Sequence, residues 1–164
     1  MIYIYTDGSS KGNPGPGGFG VVVLKDNTIK YSYHEQNENT TNNREELKAI
    51  LHAFYLSQTK FKETDCIICT DSSYCYNICN DWIFSWAKNN WKNSKKKTVE
   101  NLDLIQQLYN YLNIDFFNCQ VIKVNGHQGD IGNELADALA TFNNKKYEKI
   151  IRENNLLLDF SIKI

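Results

Sequence analysis

The amino-acid sequence predicts a single α/β domain built on a mixed five-stranded sheet, with helices on both faces. Three β-prone runs separated by turns come first, and they predict three antiparallel strands. Helical patterns then alternate with two further β-prone runs, as in parallel strands joined by crossover helices. Of the 164 residues, 41% are hydrophobic and 13% are aromatic, which excludes disorder and fibrous structure.

Residue type and turn signals indicate the three leading strands. Residues 2–6 alternate and are followed by Asp7-Gly8, so the first strand is predicted to end in a turn there. A glycine- and proline-rich cluster then leads into the apolar run 21–24, and another β-prone run covers 29–33. This order predicts two hairpins in succession.

An amphipathic helix is predicted over residues 43–58. Its apolar residues recur at i, i+3, i+4 and i+7 from Leu47, and Asn42 is a suitable N-cap with Glu45 at the N3 position. Further along the chain, strands are expected at 66–70 and 119–124, and helices at 72–80, 82–88, 101–112 and 133–142.

Two regions of the chain are distinguished. Residues 1–142 contain no internal repeat or boundary and are expected to form one unit. Residues 143–164 are a C-terminal extension that is predicted to begin as a helix, in which Ile150, Ile151 and the leucines 156–158 offer an apolar face.

Cysteine usage and the amino terminus indicate a protein that is not exported. The five cysteines are odd in number and are expected to be reduced. A zinc site is disfavoured, because Cys66 and Cys69 lie three apart on a predicted strand and so point to opposite faces. No apolar run approaches the roughly 18 residues of a membrane span, and the start, MIYIYTDG, lacks the features of a signal peptide. We therefore expect no membrane association and a cytoplasmic or nuclear location.

Residues 82–99, here named the basic segment, concentrate positive charge on a chain whose formal net charge is −1. The segment contains no Asp or Glu, and it interleaves Trp82, Trp86 and Trp91 with five lysines. Lysine runs are usually solvated surface, but aromatic side chains among lysines also suit base stacking combined with phosphate contact. Composition alone leaves both interpretations open.

Two aspartates follow predicted strands in similar contexts. Asp7 lies in TDGSS and Asp71 lies in TDSSY. If the two strands are parallel neighbours, both carboxylates emerge at the same edge of the sheet. Taken singly, Asp7 suits a turn before Gly8 and Asp71 suits a helix N-cap, so it is their pairing that indicates a site.

Three further polar residues are weighed by position. Helical geometry places Glu46 at the border of the apolar face of helix 43–58, and Glu45 nearly opposite that face. Asp137 lies off the apolar face of its helix, among alanines that permit close packing, and His127 lies on a predicted loop between glycines. The simple alternatives are a favourable charge near a helix N-terminus for Glu46, and solvation for Asp137 and His127.

Five stretches of the sequence together resemble ribonuclease H of the type I class. They are YTDGSSKGNPGPGGFG, TTNNREELKAI, CTDSSY, the W-x3-W-x4-W basic segment and GHQGDIGNELADALA, and they span about residues 1–142 in the family's order. The resemblance implies a ribonuclease H-like fold, with residues 1–142 as the catalytic domain. It also implies hydrolysis of the RNA strand of RNA–DNA hybrids, leaving 5′-phosphate and 3′-hydroxyl ends.

The resemblance, carried over by position, assigns the catalytic groups. The family's four metal-binding carboxylates correspond to Asp7, Glu46, Asp71 and Asp137, and its loop histidine corresponds to His127. The implied cofactor is a pair of Mg²⁺ ions, with Mn²⁺ as a substitute. Carboxylate oxygens without Cys or His donors favour these hard cations over zinc.

The resemblance also assigns contacts to each strand of the hybrid. Asn13, Asn42 and Asn43 correspond to positions that meet RNA 2′-hydroxyl groups. Asn39 stands where some relatives carry an arginine, which removes a bidentate phosphate donor. The residues implied for the DNA strand are Thr41, Trp86, Ser94 and Asn101, together with Lys88, Lys92, Lys95, Lys96 and Lys97 of the basic segment.

Two other functions are compatible with parts of this pattern. A DNA-cleaving resolvase or exonuclease of the same fold would share the carboxylates but would not need the asparagine set or the tryptophan-rich basic segment. A non-catalytic nucleic-acid binder would keep the basic segment without clustered carboxylates, which repel polyanions. The joint pattern favours a hybrid-specific endonuclease, which we expect to act as a monomer.

Overall fold

The computed structural model describes residues 1–114, 119–125 and 130–161. Within these residues, six strands form one mixed sheet that carries helices on both faces. The strands are β1 (Ile2–Ser10), β2 (Gly15–Lys25), β3 (Thr28–Thr40), β4 (Cys66–Thr70), β5 (Cys119–Lys123) and β6 (Leu157–Leu158), in the spatial order β5-β4-β1-β2-β3-β6. The α/β class and the antiparallel meander β1-β2-β3 agree with the sequence prediction.

The helices follow in the predicted order along the chain. They are α1 (Asn42–Gln58), α2 (Ser73–Asn77), α3 (Ile83–Lys88), α4 (Leu102–Leu112), α5 (Ile131–Ala140) and α6 (Asn144–Glu153), and a π-helical turn, Ile78–Trp82, joins α2 to α3. No helix within the described residues combines the length and apolar character that crossing a membrane requires.

The sixth strand corrects the five-stranded prediction. Leu157 and Leu158 pair in parallel with Thr28 and Ile29 at the edge of β3. A strand of two residues is too short to show a hydrophobic period in the sequence. The pairing also depends on α6, which brings the residues that follow it to this edge. The strand therefore arises from tertiary packing, and it covers part of an edge that would otherwise expose unpaired backbone groups.

β1 is longer than predicted. The strand does not turn at Asp7-Gly8 but runs on to Ser10, and Asp7 pairs with Gly20 of β2. The pairing of β1 with β4 stops at Thr6, one residue before Asp7. At Asp7, β1 is therefore still paired with β2 but no longer with β4, and this leaves an opening in the middle of the sheet.

The start of α1 differs from the prediction at two side chains. Thr41, and not Asn42, is the N-cap, because its Oγ1 accepts a hydrogen bond from a backbone N–H of the first turn at 3.2 Å. Glu45 is 1% exposed, and its carboxylate is bound by Thr40 Oγ1 at 2.8 Å and by Lys48 Nζ at 3.0 Å. The end of β3 thus covers a side of the helix that periodicity assigned to solvent.

Two apolar clusters hold helices to opposite faces of the sheet. One cluster joins the sheet to α1 and α4, and the other joins it to α5 and α6. Val21 packs in the first with Leu47, and Val22 packs in the second with Leu135, because successive strand residues point to opposite faces. The five cysteines also lie in the interior as free thiols.

α5 approaches the sheet closely at Gly20. A Cβ atom on Gly20 would lie 2.5 Å from Leu139 Cβ and 2.6 Å from Ala136 O, so a larger residue would displace the helix. This contact confirms that the small residues around Asp137 permit close packing. Because Gly20 is the partner of Asp7 in the sheet, the same contact brings α5 beside Asp7.

Candidate active site

Asp7 and Asp71 lie side by side at the centre of the sheet. β1 and β4 are parallel neighbours, and their register ends at the pair Thr6 and Thr70. Asp7 directly follows Thr6, and Asp71 directly follows Thr70, so the two carboxyl groups leave the sheet at the same place. The parallel pairing that the sequence analysis required for this site is therefore confirmed.

Glu46 reaches the same place from the first turns of α1. The helix crosses β1 at Gly8, where a Cβ atom would lie 2.3 Å from Glu46 N. The backbone N–H of Gly8 donates a hydrogen bond to the Glu46 carboxylate. Ligand oxygens of Asp7, Glu46 and Asp71 all lie within 4.8 Å of one another, and these three residues are here named the carboxylate cluster.

Burial and mutual repulsion favour the protonated forms of these carboxyl groups. Asp7 is 6% exposed and Glu46 is 8% exposed. Burial raises the pKa of Asp7, and the charges of Glu46 and Asp71 raise it further. Burial and the charge of Asp71 raise the pKa of Glu46, while hydrogen bonds with Asp7 and Gly8 oppose that shift. Without a cation, the cluster therefore retains protons that unfolded carboxyl groups would release.

Asp137 stands at the rim of the carboxylate cluster. Its side chain is 42% exposed, and its Oδ2 lies 2.6 Å from Lys146 Nζ. A hydrogen bond with Asp137 contributes to the raised pKa of Asp7. The structure thus brings all four predicted carboxylates to one place, three in a tight group and the fourth beside them.

Asn133 is a residue of this site that the sequence analysis missed. It is 5% exposed, and its side chain hydrogen bonds with the Asp71 carboxylate, which opposes the upward shift that burial imposes on the pKa of Asp71. The available signal was its spacing in α5, four residues before Asp137, because residues i and i+4 share one face of a helix.

The donor set fits a divalent cation. The clustered ligands are all carboxylate oxygens, at a spacing that one ion can bridge. Glu46 Oε2 is buried and has no hydrogen-bond partner among the described residues. A divalent cation held by Asp7, Glu46 and Asp71 would give that oxygen a partner and offset the buried negative charge.

Two predicted RNA-contacting residues are tied together next to the cluster. Asn42 Oδ1 accepts a hydrogen bond from Ser10 N at 2.6 Å, and Asn13 Oδ1 accepts one from Asn42 N at 3.0 Å. These bonds use the carboxamide oxygens, so the side-chain NH₂ groups remain as donors. Asn13, Asn42 and Asn43 are all exposed. Ser10 follows Asp7 by three residues on β1, about 10 Å along the strand.

Arg44 links two residues that the sequence analysis assigned to a DNA phosphate. Its backbone N–H binds Thr41 Oγ1, and its guanidinium donates to Asn101 Oδ1 at 3.3 Å. The same guanidinium makes a two-pronged contact with Asp103, at 3.0 and 2.8 Å. Asn101 Nδ2 in turn donates to Tyr74 OH at 3.0 Å. No role for this arginine was predicted from the sequence.

Comparison with known proteins decides the family. The sequence model of the RNase H family matches residues 1–144 of this chain. The chain belongs to the RNase H family. A ribonuclease H of Orientia tsutsugamushi (strain Boryong) is 42% identical over 153 residues, which cover 93% of this chain and 88% of that protein. The protein is therefore a hydrolase, an endonuclease with ribonuclease H activity toward the RNA strand of RNA–DNA hybrids.

Solved structures share the RNase H fold with this chain. The crystal structure of LC9-RNase H1, described as a type 1 RNase H with the type 2 active-site motif, superposes with a TM-score of 0.74 at 27% identity, covering 96% of this chain and 86% of that chain. The foamy viral protease-reverse transcriptase in complex with RNA/DNA hybrid superposes with a TM-score of 0.71 at 21% identity, covering 90% of this chain and 20% of that chain. The second likeness concerns the fold alone.

The three tryptophans of this ribonuclease H differ in exposure. Trp91 is half-buried and packs edge-on against Tyr109, with ring centroids 5.3 Å apart, and both Trp91 and Trp86 pack against the apolar cluster that holds α1 and α4. Trp82 is 38% exposed, and its ring lies 5.9 Å from that of Trp86. Trp82 is therefore the exposed tryptophan of the basic segment, and Trp86 is half-buried like Trp91.

The lysines of the basic segment lie on an ordered turn. Asn93 Oδ1 accepts hydrogen bonds from the backbone N–H groups of Lys95 and Lys97, at 2.9 and 3.1 Å. Lys92 Nζ donates to Thr98 Oγ1 at 3.1 Å. Most of the residues predicted for the DNA strand are exposed, namely Lys88, Lys92, Ser94, Lys95, Lys96 and Lys97.

His127 lies outside the described residues, between β5 and α5. Its role in catalysis by this ribonuclease H stays a prediction.

Proposed function

We propose that this ribonuclease H hydrolyses RNA at a site formed by Asp7, Glu46, Asp71 and Asp137, with two Mg²⁺ ions as cofactor. The products are a 3′-hydroxyl and a 5′-phosphate, and Mn²⁺ can replace Mg²⁺. The observation that carries the proposal is the approach of three carboxylates, two of them buried, to within 4.8 Å of one another. Buried like charges at this distance oppose folding, so a purely structural role does not account for them.

The residues around the cluster hold its carboxylates in place. Asn133 binds Asp71, and the Gly8 N–H binds Glu46, so two of the acids are oriented by donors from other elements. When bound, the two ions supply an activated water and stabilise the leaving 3′ oxygen. His127 assists proton transfer or product departure.

Hybrid recognition depends on the exposed asparagines. The NH₂ groups of Asn13, Asn42 and Asn43 donate to 2′-hydroxyl groups, which only the RNA strand possesses. The bonds from Ser10 and Asn42 that engage the carboxamide oxygens support this orientation. Ser10 and Asp7 both lie on β1. The RNA strand that the asparagines recognise is therefore also the nucleic-acid strand that reaches the carboxylate cluster.

The DNA strand lies across α1, α4 and the basic segment. The ordered contacts of Arg44 with Thr41 and Asn101 support a phosphate site in that region. Membership of the RNase H family supports a hybrid duplex as the substrate. The other residues proposed to contact the DNA strand are Trp86, Ser94, Lys88, Lys92, Lys95, Lys96 and Lys97, and the chain acts as a monomer.

A three-substrate cleavage assay tests the proposal. Matched RNA–DNA hybrid, RNA duplex and DNA duplex are each incubated with the protein, with Mg²⁺ and with a chelator. We expect cleavage only of the hybrid, only in its RNA strand and only with Mg²⁺. RNA products should accept a new 5′-phosphate only after phosphatase treatment, as 5′-phosphate ends require.

Other outcomes favour the alternatives. Efficient cleavage of the DNA duplex would indicate a DNA nuclease of the same fold. Tight hybrid binding without cleavage, with Mg²⁺ or Mn²⁺ present, would indicate a non-catalytic binder. Either result would contradict the proposed function.

A further inference from the structure

Lys146 forms an ion pair with Asp137 across the corner between α5 and α6. Its Nζ lies 2.6 Å from Asp137 Oδ2, and the two side chains are 35% and 42% exposed. The match to the RNase H family ends at residue 144, so Lys146 lies beyond it. The C-terminal extension thus places a cation against one of the four carboxylates of the proposed metal site.

The corner fixes the backbone of Lys146. α5 ends at Ala140, Phe142 has a left-handed backbone conformation with φ of 56°, and the Asn143 N–H donates to Ala138 O at 2.9 Å. The Asn143 side chain then caps α6 by accepting a hydrogen bond from Lys146 N at 3.0 Å. An ordered turn and a capped helix therefore hold the ammonium group beside Asp137.

Apart from its ion pair with Asp137, Lys146 lies at an electrostatically unfavourable position. The amino end of a helix carries a partial positive charge, which disfavours lysine in the first turn. The first turn of α6 holds Lys145 and Lys146 and contains no acidic residue. Asp137 offsets this repulsion for Lys146, whereas Lys145 is exposed.

We propose that Lys146 is an internal counter-ion that competes with a divalent cation for Asp137. The ammonium group and a metal ion would bind the same carboxylate, and they repel each other. Metal binding must therefore displace Lys146 from Asp137 or proceed against its charge. Lys146 raises the metal concentration at which the site fills, and this inference rests on the proposed metal site.

Metal titration of the full chain and of Lys146→Gln tests the inference. Binding of Mg²⁺ and of Mn²⁺ is followed by calorimetry and by the rise in thermal unfolding temperature, without substrate. We expect Lys146→Gln to bind both ions about three- to tenfold more tightly, as for one unit charge removed from beside a dication in a partly solvated site. Lys145→Gln removes the same charge from the neighbouring residue and should leave the affinity nearly unchanged.

A second variant separates charge from side-chain packing. Lys146→Arg keeps the cation and should bind metal with the affinity of the parent chain. An unchanged or weakened metal affinity in Lys146→Gln, while the parent chain binds metal, would overturn the inference alone. No metal binding by the parent chain would overturn the proposed metal site and the inference with it.

Discussion

Asp7 is buried against two other acids, and its environment predicts how stability varies with pH. Because the pKa values of Asp7 and Glu46 are raised, the folded protein binds more protons than the unfolded chain above about pH 4. The free energy of unfolding of the metal-free protein should therefore fall as pH rises from about 5 to about 8. Thermal unfolding measured across this range in a chelator checks the sign.

Asp7→Asn is the matched control for this dependence. The variant keeps the shape of the side chain and has no carboxyl proton to release on unfolding, so its metal-free form should be more stable than the parent by about 1–3 kcal/mol at about pH 8. Its stability should also vary less with pH. A parent chain that gains stability as pH rises, or a less stable Asn variant, would show that the buried acids do not lower the free energy of unfolding.

Asn133 illustrates a residue that orients a proposed ligand without being one. Asn133→Ala removes the hydrogen bond to Asp71, so Mg²⁺ affinity should fall by about 10–100-fold, the usual range for a partner of a metal ligand. The measurement is the Mg²⁺ concentration that gives half of the maximal rise in unfolding temperature. Glu134→Gln, at a half-buried neighbouring position, serves as the control. Equal Mg²⁺ midpoints in the parent chain and Asn133→Ala would remove Asn133 from the site.

Asn42 offers a test of RNA recognition at a single hydrogen bond. Replacing the ribose that faces Asn42 by deoxyribose should weaken hybrid binding by about 0.5–1.5 kcal/mol, as for one neutral hydrogen bond. In Asn42→Ala the same replacement should have no further effect, because the donor is already absent. A double-mutant cycle measures this coupling, and additive effects would contradict the assigned 2′-hydroxyl contact.

At the scale of elements, the exposed lysines of the basic segment predict how hybrid binding depends on salt. If Lys95, Lys96 and Lys97 contact phosphates, the triple Lys→Gln variant should bind hybrid more weakly at low salt. The slope of log K against log salt should flatten by up to about 0.9 per lost contact, the value for B-form duplexes. KM should rise more than kcat falls, since uniform binding is lost.

The Mg²⁺ requirement of this triple variant should persist, because the carboxylate cluster is untouched. Salt titrations of hybrid binding by the parent and the variant supply the comparison. Identical slopes and identical KM values would support the simpler interpretation, in which Lys95, Lys96 and Lys97 only form a solvated surface.

At the scale of the whole molecule, the sequence predicts what local pattern and strand order determine. The meander, the later alternation of strands and helices, and the meeting of Asp7 with Asp71 follow from strand order and parallel pairing. The closeness of α5 to the sheet follows from small residues, because the backbone at Gly20 leaves no room for a side chain. These features depend on spacing along the chain, which a single sequence displays.

Features that depend on packing from elsewhere in the chain escaped prediction. Glu45 is buried because Thr40 and Lys48 bind it, although helical periodicity faces it to solvent. Strand β6 exists because α6 delivers the tail to the edge of β3. Lys146 meets Asp137 only because the corner between α5 and α6 reverses the chain, a geometry that periodicity does not encode.

The most direct test of the central claim is Asp71→Asn. Ser72, and not Asp71, caps α2, with Oγ accepting from Cys75 N at 3.1 Å, so the substitution removes no cap. We expect a folded protein that loses the Mg²⁺-induced rise in unfolding temperature. Hybrid cleavage should fall more than about 100-fold, because loss of a ligand exceeds the usual loss of a residue that only orients one. Parent-like cleavage and an unchanged response to Mg²⁺ would contradict the assignment of the carboxylate cluster as the catalytic metal site.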